Sequence, residues 1–253
     1  MSHLSNYQEE FLAKHLFGVA SLASPGTFFV GLHTADAGED GTTSEVSGGS
    51  YARQAVTFAW DNTGKQVWNA ALLSFPDMPA CTIVGFSIHS LASGGVCHGR
   101  GTISSTGVLA TQTVEIAANA LTMALAGGLS NYSREYLAKH AWGVAALTMP
   151  STFFVELHTG APGNDGTANV VSGGSYTRIA CSGFSWDGGQ NRVENTAAVN
   201  FPGMPGVTST HCSIHSLVSG GFCYATAALA SPVITGLGNT ARFAAGVLSF
   251  ELQ

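Results

Sequence analysis

Residues 4–22 read LSNYQEEFLAKHLFGVASL, and residues 129–147 read LSNYSREYLAKHAWGVAAL, 125 positions later. The similarity extends outward from these stretches. PGTFFVGLHT at residue 25 recurs as PSTFFVELHT at residue 150, and SIHSL at residue 87 recurs at residue 213. Because solenoid repeats are only about 20–50 residues long, a unit of this length indicates a duplicated domain. The sequence therefore predicts two domains, at residues 1–126 and 127–253, joined near Ala126-Gly127-Gly128.

Each copy begins with the pattern of one short amphipathic helix and continues with strand patterns. Ser5 and the Gln three residues later form a capping box, and Gly18 ends the helical spacing. The period then changes to two, with Phe28, Val30 and Leu32 on one face. Further strand-like runs are residues 51–60, 66–75, 82–91, 96–104 and 113–125. This order predicts a mainly β fold of two tandem β-sandwich, jelly-roll-like domains, each with one short N-terminal α-helix.

The composition excludes several classes of protein. Charged residues make up 9% of the chain, against about 25% in typical soluble domains, and the formal net charge of -6 argues against nucleic acid as a partner. Apolar runs are too short to span a bilayer, so no membrane insertion is expected. The first residues carry no secretion signal, which predicts synthesis and folding in a cytoplasm.

The cysteines and the low charge content point to a reduced, oligomeric protein. Five cysteines are an odd number, and they have neither a disulfide framework nor zinc-like spacing, so they are expected to be reduced and mostly buried. A monomer of this size normally uses more charge to stay solvated. We therefore expect neighbouring subunits to cover part of the surface.

Each group of candidate site residues can also be interpreted as having a purely structural role. Three pairs of histidines occupy equivalent places in the two copies: His15/His140, His33/His158 and His89/His215. No metal-binding or catalytic spacing links them, which favours structural histidines satisfied by backbone or hydroxyl groups. The loop with Asp36, Glu39 and Asp40 resembles a calcium loop, but the second copy keeps only Asp165 of these acids. A capped turn is therefore the favoured interpretation.

No motif of an enzyme or cofactor site appears in the chain. The Gly-Gly turns after Ser47 and Ser172 match no phosphate-binding loop, and there is no nucleophile elbow or paired-carboxylate spacing. We predict no catalytic, cofactor-binding or metal-binding residue, no cofactor or metal requirement and no enzymatic activity, although a site assembled from distant loops stays open.

The stretch GLHTADAGEDGTTSEVSGGSYARQAVTF, from Gly31 to Phe58, resembles the signature of a family of small tailed-bacteriophage proteins described as tail fibre or virion structural proteins. The LSNY-type helix before it and Gly85-Phe86-Ser87-Ile88-His89 after it are also similar to the family pattern. The second copy departs from that pattern at LHTGAPGNDG and YTRIACSGF. The resemblance covers both copies and implies a non-enzymatic virion component.

The first functional hypothesis is a tail-fibre-like or tail-associated protein on the outer surface of a virion, assembled in the cytoplasm of the bacterial host. Its expected partners are other virion proteins and further copies of itself, for which a trimer with six-fold pseudosymmetry is one arrangement. One alternative is a capsid decoration protein. The other is a carbohydrate- or receptor-binding module that contacts a host-surface glycan. The lack of coiled-coil heptads favours a compact component over a fibre shaft.

Overall fold

The computed structural model describes residues 2–24, 26–125 and 129–251. The predicted joint at Ala126-Gly127-Gly128 lies outside these residues. The fold is mostly β, with one helix at the start of each repeat and sheets after it, which confirms the predicted fold class of two β-sandwich halves. Neither helix of the described ranges is long and apolar enough to cross a membrane.

The chain forms two compact units, and each unit includes a helix end from the other repeat. One unit is built around Ala23–Leu125 and also contains Ala138–Leu147. The other is built around Thr148–Gln253 and also contains Glu10–Leu22. Glu10–Leu22 and Ala138–Leu147 are called the exchanged segments below. The domains predicted at 1–126 and 127–253 describe the sequence duplication, and their independent folding stays a prediction.

The first repeat contains β1 (Ser2–Leu4), α1 (Asn6–Leu16), β2 (Phe28–His33), β3 (Gln54–Val56), β4 (Phe58–Asp61), β5 (Gln66–Asn69), β6 (Leu73–Phe75), β7 (Cys81–His89), β8 (Cys97–Val108), β9 (Val114–Ile116) and β10 (Thr122–Met123). The largest sheet has the strand order β1-β8-β7-β2-β3, a second has the order β10-β5-β4, and β6 pairs with β9. All of these pairings are antiparallel.

The second repeat contains α2 (Asn131–Ala141), β11 (Phe153–His158), β12 (Ile179–Cys181), β13 (Phe184–Asp187), β14 (Arg192–Asn195), β15 (Val199–Phe201), β16 (Val207–His215), β17 (Cys223–Thr235), β18 (Ala241–Phe243) and β19 (Ser249–Phe250). Its sheets have the orders β12-β11-β16-β17 and β13-β14-β19, with β15 paired to β18. From the helix onward, the elements of the first repeat thus recur in the same order.

The helix start follows the Ser5 half of the predicted capping box. Ser5 Oγ accepts a hydrogen bond from the backbone N–H of Gln8 at 3.3 Å and donates one to the carbonyl of Cys97. The reciprocal bond from Gln8 is absent, because Gln8 Oε1 lies 2.6 Å from His98 Nδ1 and the N–H of Ser5 donates to the carbonyl of His98. The short strand β1 was not predicted, because three residues carry no periodicity of their own. It forms through its pairing with β8, which sets Leu4 opposite Gly99.

Three of the predicted strand runs are each divided into two strands. Runs 51–60, 66–75 and 113–125 contain β3 and β4, β5 and β6, and β9 and β10 respectively. A buried asparagine, Asn69, accounts for one break: its amide donates to the carbonyls of Ala71 and Ala117, both at 2.8 Å, and its oxygen accepts the N–H of Leu121. Asn195 makes the corresponding bonds in the second repeat. Hydrogen bonds from these two side chains take the place of bonds between strand backbones at the breaks. The hydrophobic pattern of the sequence gives no sign of them.

The exchanged segments complete the aromatic cores of the units that receive them. In one unit, the ring of Phe17 lies 4.9 Å from Phe184 and 5.3 Å from Phe250, centroid to centroid. In the other, Trp142 lies 5.5 Å from Phe28 and 5.1 Å from Phe58. Phe17 and Trp142 are almost completely buried. Each repeat therefore contributes a large side chain to the other repeat's core.

Candidate functional site

Each unit contains a buried chain of two histidines bridged by a serine on its largest sheet. In the first, His33 Nε2 lies 2.7 Å and His89 Nε2 lies 2.8 Å from Ser87 Oγ. Residues two apart in a strand share a face of the sheet. The register of β2 and β7, with Gly31 opposite Ser87, therefore brings the three side chains together.

The second unit repeats this arrangement with His158, Ser213 and His215. The distances from Ser213 Oγ are 2.7 Å to His158 Nε2 and 2.8 Å to His215 Nε2. All six side chains, two histidines and one serine in each unit, are buried. The serines were missed by the sequence analysis, although Ser-x-His within SIHSL places serine and histidine on one face of a strand.

The backbone fixes the direction of the hydrogen bonds in both chains. Nδ1 of His33 lies 2.8 Å from the carbonyl oxygen of Thr43, and Nδ1 of His158 lies 2.8 Å from that of Ala168. Each Nδ1 therefore donates its proton, and Nε2 of a neutral ring accepts from the serine hydroxyl. Backbone and hydroxyl groups were the partners predicted for these histidines. The serine oxygen is left to accept from the second histidine.

Burial favours the uncharged form of His33, His89 and His158. It lowers the pKa of His33 and of His158 below the ordinary histidine value. Burial, followed by the positive charge of Arg53, lowers the pKa of His89 to about 4. An uncharged imidazole presents one lone pair, which suits the directed hydrogen bonds of the chain.

An arginine–carboxylate pair lies beside each histidine chain. Arg53 binds Glu45 through two bonds, Nε to Oε1 at 2.8 Å and Nη2 to Oε2 at 2.7 Å. Arg178 donates to Glu156 Oε2 at 3.0 Å. For both carboxyls, burial would raise the pKa, but other contacts outweigh it and lower both pKa values. For Glu45 these are the hydrogen bonds and positive charge of Arg53. For Glu156 they are hydrogen bonds from His215 and Arg178, together with the positive charge of Arg178.

The two carboxylates come from different positions of the repeat. Gly31 stands at the position of Glu156, and Val170 stands at the position of Glu45. A Cβ atom added at Gly31 would lie 3.0 Å from Glu45 Oε1 and 3.0 Å from Ser87 Oγ. The two carboxylate positions are therefore alternatives, and each repeat fills one of them.

In the second unit the carboxylate also joins the histidines. Glu156 Oε2 lies 3.0 Å from His215 Nε2 and 3.9 Å from His158 Nε2. One ligand atom from each of these three buried residues falls within 4.8 Å of the others. The sequence analysis singled out both histidines but not Glu156, because the cluster depends on the pairing of β11 with β16.

The other predicted histidine pair has a local role at the helix ends. Nδ1 of His15 accepts the N–H of Leu22 at 3.1 Å, and Nδ1 of His140 accepts that of Leu147 at 3.1 Å. These bonds fix the chain that leaves each helix and do not bring the two rings near the serine-bridged chains.

The acidic loop of the first repeat makes a turn and an ion-pair cluster. Asp40 Oδ1 accepts the N–H of Thr42 at 3.1 Å, and Asp165 does the same for Thr167 at 3.1 Å. Asp36 and Glu39 both bind Arg100. The second repeat has Thr226 where the first has Arg100, and it lacks both of these acids. Asp36 and Glu39 thus occur in the repeat that has their partner, Arg100. The sequence analysis did not identify this arginine.

The Gly-Gly turns and the cysteines also have structural explanations. Gly49 has φ 58°, and a Cβ there would lie 2.4 Å from the carbonyl oxygen of Asp77, so the turn needs glycine. All five cysteines are free, and burial raises the thiol pKa of Cys97 to about 11 and of Cys212 to about 12. Such thiols carry little thiolate at neutral pH, and thiolate is the reactive form.

A family model described as podophage GP4 fiber I protein gp80 matches the chain twice, over residues 3–124 and 128–251. The two matches follow the two repeats and cover nearly the whole chain, so the tandem duplication is a duplication of the family's domain. A search of curated proteins found no match. The chain therefore belongs to the family of podophage fiber I proteins, with the family domain present twice.

Proposed function

We propose that the chain is a non-enzymatic structural component of a phage fibre, attached to the tail on the outer surface of the particle. The observation that carries this proposal is the match of a podophage fibre family to both repeats. The polar clusters support a structural role, because the serine-bridged histidines are buried, the arginine–carboxylate pairs are at least partly buried, and the members of each cluster are hydrogen-bonded. Assembly would take place in the host cytoplasm.

Immunogold labelling of intact purified particles tests the position. Antibodies against the chain are expected to label the tail or its fibres without any disruption of the particle. Labelling spread over the head would instead favour a capsid decoration protein. Particles without the chain would contradict a virion role.

Further copies of the chain are the proposed partners of the charge-free stretch 195–241, which contains no Asp, Glu, Lys or Arg. Strand β17 lies at the edge of its sheet, and Ile234 and Leu237 near its end are both 80% exposed. Exposed edge strands that lack charge favour association. We expect an interface that buries about 800 Å² or more on each partner.

A charge in this interface should weaken assembly without unfolding the chain. Ile234→Lys is expected to shift the purified protein toward smaller species in sedimentation velocity, because a lysine must be desolvated at the contact. Leu109→Lys in the first repeat is the control, since Leu109 is 70% exposed but lies outside the charge-free stretch. A wild type that is monomeric at all accessible concentrations would contradict the proposal.

Binding of a host-surface glycan is a second candidate function, favoured by an aromatic stack in the second unit. The ring of Tyr132 lies 4.1 Å from that of Phe222 and 4.4 Å from that of Tyr136, centroid to centroid. Phe222 and Tyr136 are exposed. Flat apolar rings flanked by polar groups are suited to the apolar faces of sugars. The first repeat has Val96 at the position of Phe222.

This difference between the repeats supplies the test. The wild-type chain is expected to bind glycans of the host surface on an array, and Phe222→Val is expected to lose that binding while keeping its thermal midpoint. Val96→Ala in the first repeat should leave glycan binding unchanged. Equal binding by wild type and Phe222→Val would exclude the aromatic stack as a glycan site.

A further inference from the structure

The buried cluster of Glu156, His158 and His215 has the composition of a zinc site. Glu156 and His158 are two residues apart in β11, so their side chains share one face of the sheet. The neighbouring strand β16 adds His215, two residues after Ser213, which lies opposite Glu156. Imidazole nitrogens and carboxylate oxygens are the ligands that Zn²⁺ accepts in proteins.

The distances within the cluster suit a small tetrahedral ion. Ligand atoms at about 2.0–2.1 Å from tetrahedral zinc lie about 3.3 Å from each other. Glu156 Oε2 lies 3.0 Å from His215 Nε2 and 3.9 Å from His158 Nε2, values on either side of that separation. Ser213 Oγ lies 2.7 and 2.8 Å from the two Nε2 atoms and is a fourth donor atom next to the cluster.

Outer hydrogen bonds hold two of these ligands in place. The bond from His158 Nδ1 to the carbonyl of Ala168 directs the Nε2 lone pair into the cluster, which is the usual second bond of a metal-binding histidine. Arg178 donates to Oε2 of Glu156. A carboxylate oxygen has a second lone pair, so Oε2 can bind the metal while Arg178 keeps its bond.

We propose that Glu156, His158 and His215 bind one structural Zn²⁺ per chain, with the Ser213 hydroxyl as the fourth ligand. The buried position leaves no open coordination site for a substrate, so the ion would stabilise the second unit. The first repeat has the corresponding histidines and serine, but Gly31 stands at the position of Glu156, and both oxygens of its own carboxylate, Glu45, are bound by Arg53. It should therefore bind no zinc. This proposal departs from the expectation from sequence that the chain needs no metal.

The duplication provides matched controls for the test. Full-length protein freed of metal by a chelator is titrated with Zn²⁺ by calorimetry, with Co²⁺ as a spectroscopic probe of tetrahedral coordination. We expect one ion per chain, a higher thermal midpoint with zinc and the visible bands of tetrahedral Co²⁺. Glu156→Gln and His158→Gln should each weaken binding at least about tenfold. Glu45→Gln and His33→Gln, at the corresponding cluster of the first repeat, should leave it unchanged.

Substitution of a zinc ligand could impair the folding of the second unit. A gain-of-function variant in the first repeat therefore tests the proposal without changing the second unit. Gly31→Glu combined with Glu45→Val gives the first repeat the carboxylate arrangement of the second, and it should raise the stoichiometry from one zinc to two. Three results would overturn the proposal: no binding by the wild type at micromolar zinc, equal loss in His33→Gln and His158→Gln, or one zinc still bound after Glu156→Gln with unchanged affinity.

Discussion

Phe17→Ala is expected to lower the free energy of unfolding by about 3–5 kcal/mol, and Trp142→Ala by a similar amount. Both side chains are almost completely buried among aromatic rings of the unit that receives them. Their truncation removes apolar contacts and leaves a cavity that a packed core closes only in part. Urea denaturation followed by circular dichroism measures the loss. Leu72→Ala, at a half-exposed leucine, should cost less than about 1 kcal/mol.

Hydrogen exchange shows where the destabilisation occurs. Phe17 lies in the first repeat by sequence but contacts Phe184 and Phe250 of the second. Phe17→Ala should therefore reduce amide protection in β13, β14 and β19, and Trp142→Ala should reduce it in β4 and β5. Loss of protection in the same repeat as each substitution would contradict the exchange of helix ends.

Moving the carboxylate within the first repeat is the second substitution with a large expected effect. Glu45→Val alone leaves the buried guanidinium of Arg53 without its bidentate partner, and we expect a loss of about 2–3 kcal/mol in unfolding free energy. Gly31→Glu alone crowds Glu45 Oε1 and Ser87 Oγ and places two acids together. The double variant Gly31→Glu/Glu45→Val reproduces the second repeat, so its stability should lie within about 1 kcal/mol of the wild type.

A double-mutant cycle measured by urea denaturation gives the coupling between the two positions. A favourable coupling supports the interpretation that residues 31 and 45 are alternative sources of one carboxylate. Additive losses, with the double variant less stable than either single variant, would show that the arginine does not accept a carboxylate from β2. Gly31→Ala is the control for the backbone effect of replacing glycine.

The sequence predicted the elements that depend on local patterns. The cap at Ser5 and the period of two from Phe28 to Leu32 correspond to α1 and β2. The opposite face of β2 is buried as well, since Gly31 and His33 are covered. The breaks at Asn69 and Asn195 depend on long-range side-chain bonds, so no local pattern could indicate them.

The clusters and the exchange of helix ends depend on tertiary structure. His33 and His89 were identified separately as candidates, but their connection through Ser87 follows from the register of β2 and β7. The apolar character of Phe17 and Trp142 is evident in the sequence, whereas the sheet that each one joins is decided by packing. Glu156 had no motif to mark it, because its histidine partners come from two strands.

The number of copies in the virion tests the central claim, a fibre component attached to the tail, most directly. Quantitative mass spectrometry of purified particles, calibrated against the major capsid protein, gives that number. The account predicts a small number of copies per particle, as for other tail proteins. Absence of the chain from purified particles, or hundreds of copies in proportion to the capsid protein, would contradict it.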